Sequence, residues 1–415
     1  MPEYLAPAVY VEELSSGLHS IEGVGTRTAA FIGVAPKADA YVNDARAINN
    51  WSEFIKEFTG ENPTSTPLSH AVFGFFTNGG SRCFVVNVGP GKPVSGGPKR
   101  TGLDLLEELD DVAIVAAPGY TDAASYDAVL SHCEKMMDRF AILDSPKEVD
   151  KIEQLTVVGT SGPATAPAPE GGGDAPAPRR GRAAPAAVGG GGGGIQGVGA
   201  RRSSYGAYYF PWINVKDPLS PSGEKVPVAP SGHIAGIYAL TDANPGVHKA
   251  PANAIIKGAI DPFYRLTRDE QGVLNPAGVN CIRWFGTQGT LVWGARTLSP
   301  DAQWRYIPVR RTFIMIEESI AKGTSWVVFE RNEAELWDLI KRDVRAFLRL
   351  QWRDGALMGR TEEEAFFVKC DEETNPEESI AAGRVTIVVG IAPVRPAEFV
   401  IFRIGQKAGG VEIEG

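Results

Sequence analysis

The segment DVAIVAAP, residues 111–118, decides the fold. Its apolar run, closed by a proline, is typical of a buried strand. Further along, four residues recur at the spacing of one helical face: Val129, Cys133, Met136 and Phe140. The chain then returns to a strand at Phe140–Leu143. Strand, helix and strand in this order predict a βαβ unit with a right-handed crossover, and therefore a mainly parallel sheet.

The sequence before this unit supplies more elements of the same kind. Thr28–Val34 (TAAFIGV) and Cys83–Val88 predict buried strands, and Trp51–Phe58 predicts a short helix. Thr66 followed by Pro67 predicts a helix N-cap with proline at the first helical position. The first half of the chain is therefore predicted to be α/β.

The sequence after residue 200 continues the pattern. Tyr205–Val215 predicts a core strand rich in aromatic residues, and Ser231 predicts the N-cap of the helix that follows it. Asn280–Leu298 holds a glycine-containing turn between two strand-like runs. That arrangement predicts a hairpin.

Beyond residue 300 the pattern becomes more helical. One helix is predicted at Phe313–Ala321, and a longer one follows an N-cap at Asn332. Between them, the β-branched and aromatic residues of Trp326–Phe329 predict a short strand. Two more strands are predicted, at Arg384–Ile391 and Glu398–Ile404.

Residues 159–200 differ sharply from the rest in composition. Glycine, proline and alanine dominate, with a glycine run at Gly189–Gly194 and a basic patch of Arg179, Arg180 and Arg182. Such a stretch cannot bury enough apolar surface to offset its ordering entropy. We predict a disordered surface insertion that interrupts the α/β domain without ending it.

Both ends of the chain carry strand patterns that have no local partner. Pro7–Glu13 (PAVYVEE) precedes any strand with which it could pair, and Gln406–Gly415 alternates apolar and acidic residues near its end. We therefore divide the chain into an extended N-terminal arm at 1–25, a central α/β domain at 26–300, a C-terminal domain at 301–405 and a C-terminal arm at 406–415.

Composition limits the classes of partner. The chain of 415 residues has a net charge of −9, which opposes general adhesion to nucleic acid or anionic lipid. No apolar run approaches the length that crosses a bilayer, and residues 1–3 do not begin a secretory signal. Four cysteines lie far apart without CxxC spacing. We expect synthesis in the cytoplasm, no membrane insertion and no nucleic-acid partner.

The search for an active site yields one candidate set. Ser231, His233 and Asp242 could form a hydrolase site, but a serine before an apolar helix is better explained as its N-cap. The acidic runs Glu362–Glu364 and Asp371–Glu373 lack the ligand spacing of a calcium loop. The sequence therefore predicts no enzyme, no cofactor and no metal, with an α/β hydrolase kept as the alternative.

Four segments together resemble the contractile tail sheath family of phage tails and extracellular injection systems. They are YLAPAVYVEE (4–13) with IEGVGT (21–26), PSGHIAGIY (230–238) with KAPAN (249–253), IRWFG (282–286) with WGART (293–297), and YIPVRRT (306–312) leading into the helix at 313–322. The resemblance covers most of the chain in order, outside 159–200 and 90–99. Ala8 departs from it, because many relatives carry glycine there. The way the chain opens resembles particles of the antifeeding-prophage type.

This resemblance implies a specific architecture. The central domain would have a subtilisin-like arrangement of strands without a protease site, and a smaller α+β C-terminal domain would face an inner tube. Subunits would stack as sixfold rings in a helical sheath that contracts to drive the tube through a target envelope. The implied partners are other copies of the chain, the tube protein, baseplate and terminal cap proteins, and sister sheath proteins.

The resemblance also implies that the arms complete sheets in neighbouring subunits. The arm residues that we expect to contact a neighbour share apolar or aromatic character: Tyr4, Val9, Tyr10, Val11, Val411 and Ile413. Hinges are predicted at four glycines: Gly17, Gly405, Gly409 and Gly410. Another structural particle component, such as an adhesin or capsid protein, remains open as an alternative, because strand-bearing ends would serve it equally.

Overall fold

The computed structural model describes residues 20–96, 100–159 and 196–401, and every structural statement below concerns these residues. The strands are β1 (Ala29–Gly33), β2 (Ala45–Ile48), β3 (Cys83–Asn87), β4 (Ile114–Ala116), β5 (Phe140–Asp144), β6 (Gly206–Phe210), β7 (Ile213–Lys216), β8 (Lys225–Val228), β9 (Ala254–Ile255), β10 (Ala259–Pro262), β11 (Val279–Phe285), β12 (Gly289–Trp293), β13 (Phe366–Lys369) and β14 (Val388–Ile391). The helices are α1 (Trp51–Phe58), α2 (Pro67–Thr77), α3 (Ala123–Met136), α4 (Ser231–Ala243), α5 (Arg268–Leu274), α6 (Ile307–Gly323), α7 (Ala334–Arg353), α8 (Glu362–Ala365) and α9 (Glu377–Ala381).

One large sheet organises the fold. Its strand order is β2-β3-β1-β4-β5-β6-β11-β12-β9. The neighbours from β3 through β11 pair in parallel, and the outer pairs with β2, β12 and β9 are antiparallel. The predicted βαβ unit is present as β4, α3 and β5. The α/β fold class with a mainly parallel sheet is therefore confirmed.

Helices cover both faces of this sheet, which explains why its strands read as continuous apolar runs. Phe31 of β1 packs on one face with Phe75 of α2 and Tyr238 of α4. Ile32, the next residue of β1, packs on the opposite face with Leu130 of α3. Successive side chains of a strand point to opposite faces, so both kinds of residue must be apolar here.

A third, smaller core lies in the C-terminal part of the chain. Val344 and Phe347 of α7 pack there with Phe366 and Val368 of β13. Strands β13 and β14 form a two-stranded antiparallel sheet beside this core. Ile21, from the other end of the described chain, belongs to the same cluster.

The local helix predictions in the first half are largely confirmed. Helix α1 occupies Trp51–Phe58 as predicted, and Thr66 caps α2 with Pro67 at its first position. The Thr66 hydroxyl accepts from the Ser69 N–H at 3.2 Å, and the Ser69 hydroxyl accepts from the Thr66 N–H at 2.9 Å. The hairpin of β11 and β12 is confirmed, with its turn at Gly286–Gln288.

Several predictions for local structure were wrong. Trp326–Phe329 is not a strand, because a 3₁₀ turn occupies Ser325–Val327. Asn332 is not the cap of α7; Glu333 holds that position, and the Asn332 side chain accepts a hydrogen bond from Trp337 Nε1 at 2.9 Å. The described part of the strand predicted from Glu398, residues 398–401, forms no strand. Phe140 belongs to β5 and not to the helical face of α3.

The two flanks of the predicted insertion meet in the fold. The Gly159 N–H donates to the Gly199 carbonyl at 2.8 Å, and Val158 bridges Gly199 in parallel. Residues 160–195, which carry most of the predicted insertion, lie outside the described residues. The described residues on either side of 160–195 are therefore direct neighbours, and β5 and β6 pair in the same sheet.

Helices α2 and α4 approach each other closely because glycines line their contact. A Cβ added at Gly232 would lie 2.2 Å from the Ala71 Cα, and one at Gly236 would lie 2.5 Å from the Phe75 carbonyl oxygen. Both distances end on backbone atoms, which cannot move aside without shifting a helix. The spacing of these helices therefore depends on the absence of side chains at Gly232 and Gly236.

We predict that Gly232→Ala lowers the free energy of unfolding by about 2–3 kcal/mol, because overpacking forces the two helices apart. Gly272→Ala is the matched control, since Gly272 lies in α5 with nothing within 4 Å of its Cβ position. That variant should be neutral or stabilising, because alanine favours helix over glycine by about 1 kcal/mol. Urea unfolding of the purified variants measures both free energies of unfolding. An equal change in the Gly232→Ala and Gly272→Ala variants would contradict the close packing of α2 and α4.

Candidate functional site

The hydrolase alternative depends on Ser231, His233 and Asp242. Ser231 is fully buried, and both its polar groups bind Asp144 at the end of β5. Its N–H donates to Asp144 Oδ1 at 2.8 Å, and its hydroxyl donates to Asp144 Oδ2 at 2.7 Å. The prediction that Ser231 is the N-cap was wrong: Pro230 holds that position, and the carboxylate of Asp144 satisfies the helix end instead.

His233 and Asp242 do not join Ser231 in a catalytic arrangement. His233 is 1% exposed, and its Nδ1 atom has no hydrogen-bond partner among the described residues. Burial lowers the pKa of His233 to about 3, so the ring is neutral at physiological pH. Asp242 is bound by Arg311. A general base must reach the nucleophile and the substrate, but His233 is buried and Ser231 and Asp242 are each bound to another residue, so the three do not form a catalytic set.

Arg311 joins three parts of the fold. Its Nη1 and Nη2 atoms donate to the two carboxylate oxygens of Asp242 at 2.8 and 2.6 Å. Nη2 also donates to the Thr26 carbonyl at 3.0 Å. The guanidinium lies 4.8 Å from the ring centroid of Tyr238. Helix α6, helix α4 and the segment before β1 are therefore held at one buried ion pair, whose side chains are 4% and 1% exposed.

The N-terminal end of the described chain is anchored along α6. The Val24 N–H donates to the Ser319 hydroxyl at 3.0 Å, and the Thr26 carbonyl accepts from Arg311. Ile21 is 5% exposed and lies against Gly323, where an added Cβ would be 2.7 Å from Ile21. The chain is thus fixed to the folded body from about residue 21 onwards.

The C-terminal end of the described chain is anchored by Glu398. Arg296 donates to it through Nη2 at 2.6 Å and through Nε at 2.8 Å. Asn275 Nδ2 donates at 2.7 Å and the Tyr306 hydroxyl at 3.1 Å. Burial alone would raise the pKa of Glu398, but the hydrogen bonds from Arg296 and Asn275 hold it below the usual value. We call these four residues the Glu398 clamp.

Three apolar side chains follow the clamp directly and face solvent. Phe399, Val400 and Ile401 are 72%, 72% and 81% exposed. An exposed apolar run of this kind indicates a contact surface. The open sheet of β13 and β14 lies in the same C-terminal part, and neither strand pairs with a third strand among the described residues.

The predicted arm and hinge residues themselves lie outside the described residues. They are Tyr4, Val9, Tyr10, Val11, Gly17, Gly405, Gly409, Gly410, Val411 and Ile413. The roles of these residues stay predictions. The structure shows that the chain is anchored near both predicted hinge regions, by residues 21–26 after Gly17 and by Glu398 before Gly405.

The anchoring residues were not identified from the sequence. Arg296 lies in WGART and Arg311 in YIPVRRT, so both stood in the segments that carry the family resemblance. Their partners, Asp242 and Glu398, are 69 and 102 residues away along the chain. No local pattern connects residues at such separations, so only the motif itself could have drawn attention to the arginines.

In the part of the chain that the structure describes, no cluster of histidine, cysteine, aspartate and glutamate could hold a metal ion. Across the same residues, no helix combines the length and apolarity needed to span a bilayer. The cysteines Cys83, Cys133, Cys281 and Cys370 are all buried and free.

We predict that the free energy of unfolding of the Asp144→Asn variant increases, relative to that of the unmodified chain, as the pH rises from 4 to 7. Burial raises the pKa of Asp144 from 3.8 to about 6. Ionisation is therefore easier in the unfolded chain, and the folded state loses stability as the pH rises through this range. A pKa difference of this size corresponds to about 3 kcal/mol.

Urea unfolding at both pH values measures this difference, with the exposed Asp39→Asn as the control for loss of one carboxyl group. A stability difference between Asp144→Asn and the unmodified chain that stays constant from pH 4 to pH 7 would contradict it.

We also predict that Arg311→Met lowers the free energy of unfolding by about 3–5 kcal/mol, because it leaves the Asp242 carboxylate buried without a partner. Adding Asp242→Asn should recover part of the loss by removing that charge. Lys225→Met breaks the more exposed pair with Asp261 and should cost at most about 1 kcal/mol. Urea unfolding measures these losses. Equally small losses of the free energy of unfolding for Arg311→Met and Lys225→Met would contradict the prediction.

Comparisons with known proteins agree on one family. The model of the phage tail sheath protein central domain matches residues 196–298, and that of the phage tail sheath C-terminal domain matches residues 299–407, together half of the chain. A prophage major tail sheath protein of Pseudomonas aeruginosa is 30% identical over 200 residues. That alignment covers 47% of this chain and 49% of the relative, so it spans about half the length of this curated relative.

Two solved structures extend the similarity over nearly the whole chain. The helical sheath of the anti-feeding prophage in its contracted state is 30% identical, with a TM-score of 0.71, and the match covers 98% of this chain and 100% of that one. A chain of the anti-feeding prophage baseplate is 29% identical, with a TM-score of 0.72 and the same coverage. On this fold and these matches, the chain belongs to the contractile tail sheath family.

Proposed function

We propose that this chain is the sheath subunit of a contractile injection particle, in which it assembles with copies of itself around an inner tube and contracts to drive that tube through a target envelope. Family membership supports the sheath role. The observation that supports the linkage between subunits is that both ends of the described chain are held by the folded body, at residues 21–26 and at Glu398, beside the predicted hinges. A connector between subunits needs a fixed root and an extended free segment.

The open sheet of β13 and β14 supports a place for the arms to bind. A two-stranded sheet alone is marginal, and an extended segment from a neighbour can add main-chain hydrogen bonds along its edge. About ten extended residues span roughly 33 Å. Residues 4–13 and 406–415 are each long enough to leave their own subunit and pair with another sheet.

Contraction requires that subunits rotate and slide while they stay joined. We place this motion at Gly17 on one side of the body and at Gly405, Gly409 and Gly410 on the other, outside the anchored segments. If contraction newly buries on the order of 400 Å² of apolar surface per subunit, the gain is roughly 10 kcal/mol before entropic and polar costs. The extended sheath would then be kinetically trapped.

The finer architecture belongs to the same proposal. The central domain, 26–300, would have a subtilisin-like strand arrangement with no catalytic role, and the smaller domain, 301–405, would face the tube. The tube protein, baseplate, terminal cap and sister sheath proteins would be its partners in a phage tail-like particle. A role for the chain at or near the baseplate is supported by the match to a baseplate structure of the anti-feeding prophage.

Deletion of residues 1–13 tests the arm proposal. We expect a subunit that keeps the urea unfolding curve of the full chain but forms no hollow helical tubes in negative-stain electron microscopy. Removal of Gly189–Gly194 is the control, because a surface insertion should not join subunits, and its tubes should look normal. Tubes of normal length from the arm deletion would reject the arms as connectors.

The same images address the alternatives. An adhesin or capsid component would give fibres or closed shells in place of hollow tubes. An α/β hydrolase would be indicated if Ser231→Ala abolished a measurable activity, an outcome that the burial of Ser231 and His233 and the pairing of Asp242 with Arg311 do not support.

A further inference from the structure

The loop between α6 and α7 contains a strained turn. The Glu330 N–H donates to the Val327 carbonyl at 3.0 Å, which closes a four-residue turn. Val328 has φ −65° and ψ 123°, and Phe329 has φ +74°. These angles are those of a type II turn, whose third position normally requires glycine or asparagine. Phenylalanine occupies it here, although a bulky residue is disfavoured at positive φ.

The strained residue makes no compensating contact within the described chain. The Phe329 side chain is completely exposed, and Val328 beside it is 64% exposed. A strained backbone that carries an exposed apolar side chain indicates a contact made outside the subunit. We call Val328 and Phe329 the knob.

An apolar groove of about 400 Å³ lies elsewhere on the same chain. Trp304 and Phe313 form one part of its lining, with their rings in edge contact at 4.8 Å. Met358, which is 52% exposed, and Pro393 form another part. Such a lining suits an aromatic ring, because aromatic pairs attract at their edges and methionine adapts to the shape of what it contacts.

Charge beside the knob and beside the groove is complementary. Glu330 follows the knob directly, and Arg395 is the only charged residue in the groove lining. Both are exposed, and neither forms an ion pair within the described residues. Opposite charges flanking matched apolar surfaces favour one orientation of contact.

We propose that Phe329 of one copy inserts into the groove of a second copy, with Glu330 of the first copy beside Arg395 of the second. The knob is fully exposed, so it does not fill the groove of its own subunit. The two surfaces differ, which makes the contact heterologous, and repetition of a heterologous contact generates rings or helical filaments. This contact rests on the proposed sheath function and specifies one interface between the copies in that sheath.

Mixed cysteine variants test this contact directly. Chains that carry Phe329→Cys are assembled with chains that carry Met358→Cys and then mildly oxidised. A disulfide-linked dimer is expected, and it can only form between copies. The native cysteines are buried, so they should add little background. Met137→Cys replaces Met358→Cys in the control, because Met137 is 59% exposed and is not one of the residues that line the groove; the control should give no dimer above background.

Phe329→Gly separates assembly from folding. Glycine suits the turn, so the variant subunit should unfold at the same urea concentration or a higher one. We expect the protein concentration needed for tube formation to rise by about tenfold, the change that loss of one good aromatic contact produces. Unchanged assembly by Phe329→Gly would overturn the contact.

Charge reversal tests the orientation. Glu330→Arg and Arg395→Glu should each raise the concentration needed for tubes, and the two together should restore it towards that of the unmodified chain. Failure of the double variant to recover would overturn the pairing of these residues.

The identity of the occupant needs its own measurement. A benzophenone photo-crosslinker at position 358, followed by peptide mapping of assembled tubes, should recover a peptide that contains Phe329. Recovery of residues 402–415, residues 1–19 or the tube protein instead would overturn the proposal. If the unmodified chain forms tubes without these cross-links, the contact fails and the sheath function stands. If it forms no tubes, the sheath function fails and the contact with it.

Discussion

The buried pair of Arg311 and Asp242 constrains more of this structure than any other interaction. Two charges taken out of water are costly unless both are fully paired, and here two hydrogen bonds join guanidinium and carboxylate. The third contact, to the Thr26 carbonyl, brings in the backbone that leads to β1. Helix α6 cannot move away from α4 or from this segment without leaving a charge unpaired. The sheet domain, the first C-terminal helix and the start of the described chain therefore behave as one body.

A second ion pair, between Arg296 and Glu398, anchors the C-terminal end of the described chain. Arg296 donates to Glu398 through two nitrogen atoms, and Asn275 and Tyr306 donate the other hydrogen bonds of the Glu398 clamp. A two-point bond between a guanidinium and a carboxylate is directional as well as strong, whereas an apolar contact can slide. If the proposed arms connect subunits, these directional bonds hold the folded body at the base of each arm.

The sequence predicted the parts of the fold that depend on neighbouring residues. Helix α1 and the cap at Thr66 follow from side chains a few positions apart, and both are present. The errors arose where distant residues decide the outcome. Asp144 reaches across 87 residues to occupy the position that Ser231 would otherwise cap, and Trp326–Phe329 has strand-forming residues but adopts a turn. The arms stay predictions from strand patterns without a local partner, because their residues lie outside the described residues.

Burial and pairing explain why the residues of the hydrolase alternative do not form an active site among the described residues. A serine, a histidine and two aspartates lie near the carboxyl edge of a parallel sheet and on α4, which is where α/β enzymes often place their sites. Here Ser231 and Asp144 satisfy each other at a helix end, and His233 fills the close contact between α2 and α4 that Gly74 permits. A catalytic group must keep a free position for substrate and a path for it to enter. Ser231, His233 and Asp144 are buried and Asp242 is held by Arg311, so none of these four groups presents an accessible position in the described structure.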